Sequence, residues 1–298
     1  SALFAEPVDI GDRLELFVDS LLVEELQGSA HLRLHRPTPE EVVLTTDEPW
    51  EGNVSGYFTV FQDGDLYRMY YRGLHYDAAA DERAHRELTC YAESTDGVVW
   101  TKPALGLFEF NGSKQNNIVL DGLGTHCFTP FKDENPTCPP EARYKAVSRG
   151  SHERQGLYLF QSADGIRWSL ISDDPVITDG RFDSQNLAFW DAPNGQYVTF
   201  FRDFRNGLRD IKTATSKDFL RWTKPKYLEY TGASREHLYT NAIRNYPRAP
   251  HIKLGFPTRL LPDQGNRTEP TLMASRDGER FFRWSDALIP EDAPEDRA

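Results

Sequence analysis

Short runs of alternating apolar and polar residues, bounded by turn residues, recur along the whole chain, and hardly any stretch keeps a helical apolar period beyond two turns. The clearest run lies between Asp183 and Trp222. It predicts a strand from Asn186 to Trp190, a turn at Asp191-Ala192-Pro193-Asn194-Gly195, a strand from Gln196 to Phe201 and a polar loop ending near Asp210. An outer hairpin follows, in which Ile211 to Ser216 turns at Lys217-Asp218 and returns through Phe219-Leu220-Arg221-Trp222. About forty residues thus make four antiparallel strands, the size of one propeller blade.

The outer hairpin repeats. Its turn and tryptophan stand at Ser94-Thr95-Asp96-Gly97 with Trp100, at Ser162-Ala163-Asp164-Gly165 with Trp168, at Ser216-Lys217-Asp218-Phe219 with Trp222, and more loosely at Ser275-Arg276-Asp277-Gly278 with Trp284. Asp-Gly supplies the positive backbone angles of a turn, and the indole fills the wedge between neighbouring sheets. Four copies predict an all-β, five-bladed β-propeller with blades near residues 53–103, 126–171, 185–225 and 238–286. Residues 104–125 read as a Gly- and Asn-rich connection. The fifth blade is either completed by strands within residues 1–45 (Leu14 to Asp19, Leu21 to Glu25, Leu32 to His35) or incomplete. Residues 287–298 form an acidic tail, and nothing inside residues 1–298 resembles a linker, so a single domain is expected.

Composition narrows the chemistry. A net charge of −12 over 298 residues disfavours nucleic acid and anionic membrane as partners of the surface as a whole, though not a locally basic pocket. Cys90, Cys127 and Cys138 are too few and too irregularly spaced for a disulfide framework or a zinc site, and no metal or cofactor is expected. The sequence shows no transmembrane run, and no signal peptide is expected in it, although a chain that begins at Ser1 without Met fits a trimmed or processed product.

Asp63, Asp133, Asp191 and Asn245 all fall in the turn after an innermost strand, where Asp and Asn are favoured for backbone reasons alone. The opposite end of each blade is the more informative one. Eight residues before those turns stand Ser55, Thr125, Asp183 and His237, with Glu236 beside the last. There the chain enters a central funnel, and His126, Gln185, Asn186 and Tyr239 add hydrogen-bonding groups while Trp50, Tyr57 and Phe128 offer faces for a sugar ring. Each second strand also ends in arginine, at Arg72, Arg149, Arg202 and Arg259. Four guanidinium forks around a funnel suit carboxylate, sulfate or phosphate; equally, each could pair with an acidic neighbour and tie blades together.

With its repeated Ser-x-Asp-Gly hairpin and tryptophan, its Tyr67-Arg68-Met69-Tyr70-Tyr71 strand and its acids at blade starts, the chain resembles the five-bladed propeller glycoside hydrolases, the group of families 32, 43, 62, 68, 117 and 130. More narrowly it is similar to bacterial proteins related to the family 32 N-terminal domain. The resemblance covers most of residues 45–285. It implies three catalytic acids: Glu51 as first-blade base or nucleophile with Asp47 in reserve, Asp183 as orienting acid, and Glu236 as proton donor. It also implies an oligo- or polysaccharide substrate and, by analogy, a periplasmic or secreted location. The Trp-x-x-Asp-Pro-Asn-Gly and Arg-Asp-Pro blocks of family 32 are absent. The expected activity is hydrolysis of a sulfated or uronic-acid glycan; the alternatives are a phosphorylase whose arginines hold phosphate and a glycan-binding propeller without catalysis.

Overall fold

The computed structural model describes residues 7–151 and 153–291, and their regular structure is β throughout, apart from three single-turn 3-10 segments. Four antiparallel sheets follow one another along the chain. From inner to outer strand, blade 1 is Gly56–Asp63, Leu66–Gly73, Leu88–Ser94 and Ile118–Asp121. Blade 2 is Thr129–Lys132, Tyr144–Arg149, Leu157–Ser162 and Ser169–Leu170, and blade 3 is Leu187–Asp191, Gln196–Arg205, Leu208–Ser216 and Lys226–Tyr227. Blade 4 is Arg244–Tyr246, Ala249–Gly255, Arg267–Ser275 and Arg280–Ala287, with Glu229–Gly232 added in parallel on its outer edge.

The repeated hairpin is one hydrogen-bonded device made four times. Asp96, Asp164, Asp218 and Asp277 each accept two backbone N–H groups from the residues two and three further on. The indoles of Trp100, Trp168 and Trp222 donate to the carbonyls of Gly97, Gly165 and Phe219. The residue after the aspartate has positive φ in every copy, 79°, 76° and 80° at Gly97, Gly165 and Gly278, and 68° at Phe219. Phe219 accepts that left-handed backbone because its ring is buried against Phe131 of blade 2 and Tyr197 of blade 3. Trp168 fills the wedge between blades 1 and 2, its ring 6.1 Å from Tyr70 and 5.0 Å from Phe128.

The turn aspartates do more than shape turns. Asp63 of blade 1 receives Lys132 at 2.7 Å and the Tyr144 hydroxyl at 2.5 Å from blade 2. Asp133 pairs with Lys145 and accepts the Tyr197 hydroxyl of blade 3 at 2.7 Å. Asp191 pairs with Lys253 of blade 4 at 2.9 Å and accepts Asn245 at 3.1 Å. One carboxylate per junction therefore staples each blade to the next at this end.

Three expectations are corrected. The residues that return after the repeated turn are not the outer strands of blades 1 and 3: Thr101 and Trp222 each keep a single bridge, to Glu93 and Ser216, and the outer strands are Ile118–Asp121, from within residues 104–125, in place of Val98 to Trp100, and Lys226–Tyr227 in place of Phe219 to Trp222. Blade 4 starts its inner strand at Arg244 rather than Tyr239: Ala242 takes a positive φ of 42°, and His237–Leu238 pairs instead with a separate strand, Thr258–Leu261. Finally, no strand lies in residues 7–45. The outer edge of blade 4 is already filled by Glu229–Gly232, so the N-terminal segment lies against that blade through single contacts, Arg276 with Glu15 and Asp19, and the Trp284 indole with the Val18 carbonyl. Residues 292–298 of the expected acidic tail lie outside the described residues.

Candidate functional site

The funnel end is set by three local features. Asn206-Gly207 has positive φ at both positions, 54° and 81°, the signature of a two-residue hairpin turn matched to strand twist. The residues expected to form a polar loop therefore continue the two central strands of blade 3 as a hairpin, with Phe204 paired to Arg209 and Arg205 to Leu208. A register shift between Gly56 and Thr59, with φ of 55° at Tyr57, bulges the first strand of blade 1. Pro257 separates the second strand of blade 4, which ends at Gly255, from the strand carrying Arg259.

A cavity of about 300 Å³ opens beside Asp183, lined by Arg149, Arg181, Arg202, Arg209, Phe204 and Tyr239 among others. Its side chains come from blades 2 and 3 and from the loops ahead of blades 3 and 4. The Asp183 carboxylate is half-exposed and paired with the buried Arg202. Burial works against ionisation of Asp183, but the Arg202 hydrogen bond and charge outweigh it and hold the carboxyl below its ordinary range. Arg202 and Arg209 both lie over the Tyr239 ring, each 5.3 Å from its centre, and over Phe204 at 5.6 and 5.5 Å. His237 accepts the Arg209 backbone N–H at 3.1 Å, and burial followed by the Arg209 charge lowers its pKa, so the ring is held neutral as a brace for the hairpin.

Close by, His126 hydrogen-bonds the Asp183 carbonyl at 3.3 Å and the Glu87 carboxylate at 2.9 Å, and its ring lies 5.6 Å from Tyr57. Tyr57 sits under Arg72 at 5.0 Å, and burial pushes its hydroxyl up to about 12. Arg72 also donates to the Val54 carbonyl.

The other expected residues do not join this cluster. Glu51 is fully buried, accepting the Tyr71 hydroxyl, Lys102 at 2.7 Å and the Glu48 amide at 3.1 Å, an anchor for the loop ahead of blade 1 that does not fit a first-blade catalyst. Asp47 shares Lys102 at 2.9 Å. The Trp50 indole is tied to Asn117 at 2.6 Å and packed edge-on to Phe110. Asn186 is buried and braces the Phe182 and Ser184 carbonyls, while Gln185 accepts the Ala242 amide.

Glu236 faces a smaller pocket with Arg205, Leu208, Asp210, Tyr230 and Arg283, and is paired with Arg283. Side-chain alternation along the 203–210 hairpin puts Phe204 and Arg209 on the Asp183 side and Arg205, Leu208 and Asp210 on the Glu236 side, so the hairpin stands between the two acids. Arg259 is spent on Glu269, at 2.8 and 2.6 Å, with Glu236 3.8 Å away. The structure thus brings together Asp183, Arg149, Arg202, Tyr239 and His126 and sets apart Glu51, Trp50, Glu236 and Arg259. Arg181 and Arg209 were not foreseen; the Asn-Gly turn was the signal for Arg209. Among the described residues no group of three or more His, Cys, Asp or Glu is arranged to hold a metal ion.

No protein-family model and no curated protein matches the chain. Solved structures do. A glycosyl hydrolase from Bacteroides ovatus aligns at a TM-score of 0.54 with 15% identity, over 90% of this chain and 85% of its own. A thermostable family-43 glycoside hydrolase aligns at 0.52 with 14% identity, over 81% and 75%. An endo-arabinase from Bacteroides thetaiotaomicron aligns at 0.51 with 11% identity, over 79% and 81%. At such identities the likeness is one of fold: the chain is built as these propeller-fold glycoside hydrolases are.

Proposed function

We propose that the chain is a carbohydrate-active enzyme that cleaves a glycosidic bond of an anion-bearing glycan in the Asp183 cavity. The observation that carries this reading is the lining itself: four arginines around one half-exposed carboxylate, on a chain whose net charge is −12. A funnel of that sign attracts sulfated or uronic-acid sugars and repels the cationic partners that the rest of the surface favours. Asp183, kept ionised by Arg202, has the role of a base or orienting acid rather than that of a proton donor. The Glu87–His126 pair is the neighbouring group able to carry a proton to a leaving oxygen. Tyr239, flanked by two guanidinium groups, and Phe204 provide apolar faces for the sugar.

The test is a screen of the full chain against neutral, sulfated and uronic-acid oligosaccharides, followed by Asp183→Asn on the substrate found. Turnover is expected on an anionic substrate, with a loss of about a hundredfold or more in the variant at unchanged thermal stability. Equal turnover by Asp183→Asn, or a preference for neutral glycans, refutes the assignment.

A further inference from the structure

The charge balance of the cavity points to a more specific ligand chemistry. We infer that Arg149, Arg181 and Arg209 form a site for one tetrahedral oxyanion, phosphate or sulfate. The inference rests on the reading above for where the glycan lies, while its own support is the set of guanidinium groups that no carboxylate neutralises.

Of the four lining arginines, Arg202 is committed to Asp183. The other three form no ion pair with any described residue, and the buried Nε atoms of Arg149 and Arg209 have no hydrogen-bond partner. Elsewhere in the molecule several buried cations are matched, as Lys145 is by Asp133, Lys253 by Asp191 and Arg283 by Glu236, whereas Arg244 has only the Ala188 carbonyl and the Phe189 ring among the described residues. Leaving three like charges together in one partly enclosed cavity costs energy that an anion recovers. Arg209 is moreover positioned without being neutralised: the Tyr239 and Phe204 rings hold its guanidinium at 5.3 and 5.5 Å, and His237 fixes its backbone.

The directions of approach separate one class of anion from another. A carboxylate presents its two oxygens in one plane, as Glu269 does in taking Arg259 on one oxygen at 2.8 and 2.6 Å and Arg267 on the other at 3.6 Å. A tetrahedral oxyanion presents oxygens in several directions. Here the cations arrive from three separate elements: Arg149 at the end of a blade 2 strand, Arg181 from the loop ahead of blade 3, and Arg209 from the blade 3 hairpin. A volume of about 300 Å³ is at the low end for small-molecule sites and suits one sugar ring with one oxyanion.

The anion has two possible sources, inorganic phosphate bound as a separate ligand or a sulfate or phosphate ester carried on the sugar. Titration calorimetry of the full chain in a chloride buffer, with inorganic phosphate, inorganic sulfate, galactose 6-sulfate and glucuronate as probes, tells them apart. At least one tetrahedral probe is expected to bind tenfold or more tightly than glucuronate, and Arg149→Met, Arg181→Met and Arg209→Met are each expected to weaken it tenfold or more. Binding of inorganic phosphate or sulfate as tight as that of the ester identifies a free anion as the ligand; binding of galactose 6-sulfate alone identifies an ester. Glucuronate binding as tightly as every tetrahedral probe, no binding by any of them up to 10 mM ligand (roughly 3 kcal/mol by the affinity scale), or full affinity in the methionine variants overturns the inference. Asp183→Asn separates it from the proposed activity, since that variant is expected to lose turnover and keep the oxyanion. Retained turnover with retained binding removes the catalytic role of Asp183 and leaves the oxyanion site standing.

Discussion

The two ends of the blades carry charge in opposite ways. At the turn end, Asp63, Asp133 and Asp191 each meet a lysine, from the next blade for Asp63 and Asp191 and from its own blade for Asp133, and each accepts a hydrogen bond from the next blade, so each of these carboxylates has its charge matched. At the funnel end, Arg149, Arg181 and Arg209 face a cavity with Asp183 as its one lining carboxylate, and that carboxylate is taken by Arg202. Both ends draw attention as rows of charged residues in the sequence. The difference is compensation: matched charge holds blades together, and unmatched charge awaits a ligand.

The largest expected effect breaks this contrast at its structural pole. Asp191→Ala strands Lys253, whose side chain is 2% exposed, and should cost about 3–5 kcal/mol in chemical denaturation. The double variant Asp191→Ala/Lys253→Met should recover most of that loss. By contrast Arg209→Met at the funnel should cost less than about 1 kcal/mol, because relief of repulsion offsets the loss of its contacts with Tyr239 and Phe204. Equal losses at both ends would erase the distinction.

How far the sequence displayed all this follows from which signals are local. The Ser-x-Asp-Gly turn with its tryptophan is closed by hydrogen bonds within a few residues, so four blades could be read from four motifs. Partners across blades are not local. The distances from Asp191 to Lys253 and from Glu51 to Lys102 along the chain left no trace in spacing, and so the staples passed for simple turns and a buried anchor passed for a catalyst. Arg209 is an intermediate case: Asn206-Gly207 was a sufficient hairpin signal, and pairing from it would have set Arg209 opposite Phe204. The position of Glu236 behind that hairpin depends on blade packing, which alternation alone does not encode.

A smaller effect sharpens the repeat itself. Phe219→Gly restores the residue that the other three turns use and relieves a left-handed backbone by about 1–2 kcal/mol, but it removes a buried ring worth about 3–5 kcal/mol. A net loss of about 2 kcal/mol is expected in denaturant midpoint. A stabilised variant would mean that the ring contributes little to the junction of blades 2 and 3.

Acid should weaken the matched end through Asp63. Burial works against Asp63, but Lys132, Tyr144 and Arg68 outweigh it and bring its pKa to about 2. The folded value is depressed below the usual ~3.9 of an unfolded aspartate, so the contribution is fully present above roughly pH 4 and is lost as pH falls towards 2. Asp63→Asn should lower stability at pH 6 and flatten its decline between pH 4 and 2. A decline as steep as in the unmodified chain would place the acid-sensitive groups elsewhere, with Asp164 the next to replace, since burial works against its ionisation but the backbone N–H groups of its own turn outweigh it and hold it at about 2.

The smallest effect concerns the N-terminal segment, which is fastened to blade 4 by side chains rather than by a strand ladder. Arg276 reaches Glu15 at 2.6 Å and Asp19 at 3.2 Å, and Glu15 also meets His251 at 3.0 Å. With these few contacts in place of a backbone ladder, Arg276→Ala should cost roughly 1 kcal/mol globally and still release residues 14–19 to fast hydrogen exchange. Exchange in Arg280–Ala287 should stay slow, because the partners of that strand are Arg267–Ser275 and Glu229–Gly232 and not the N-terminal segment. If protection of the blade 4 strand fell together with that of the segment, the segment would be part of the sheet's cooperative unit, and the edge would depend on more than the parallel pairing that covers it.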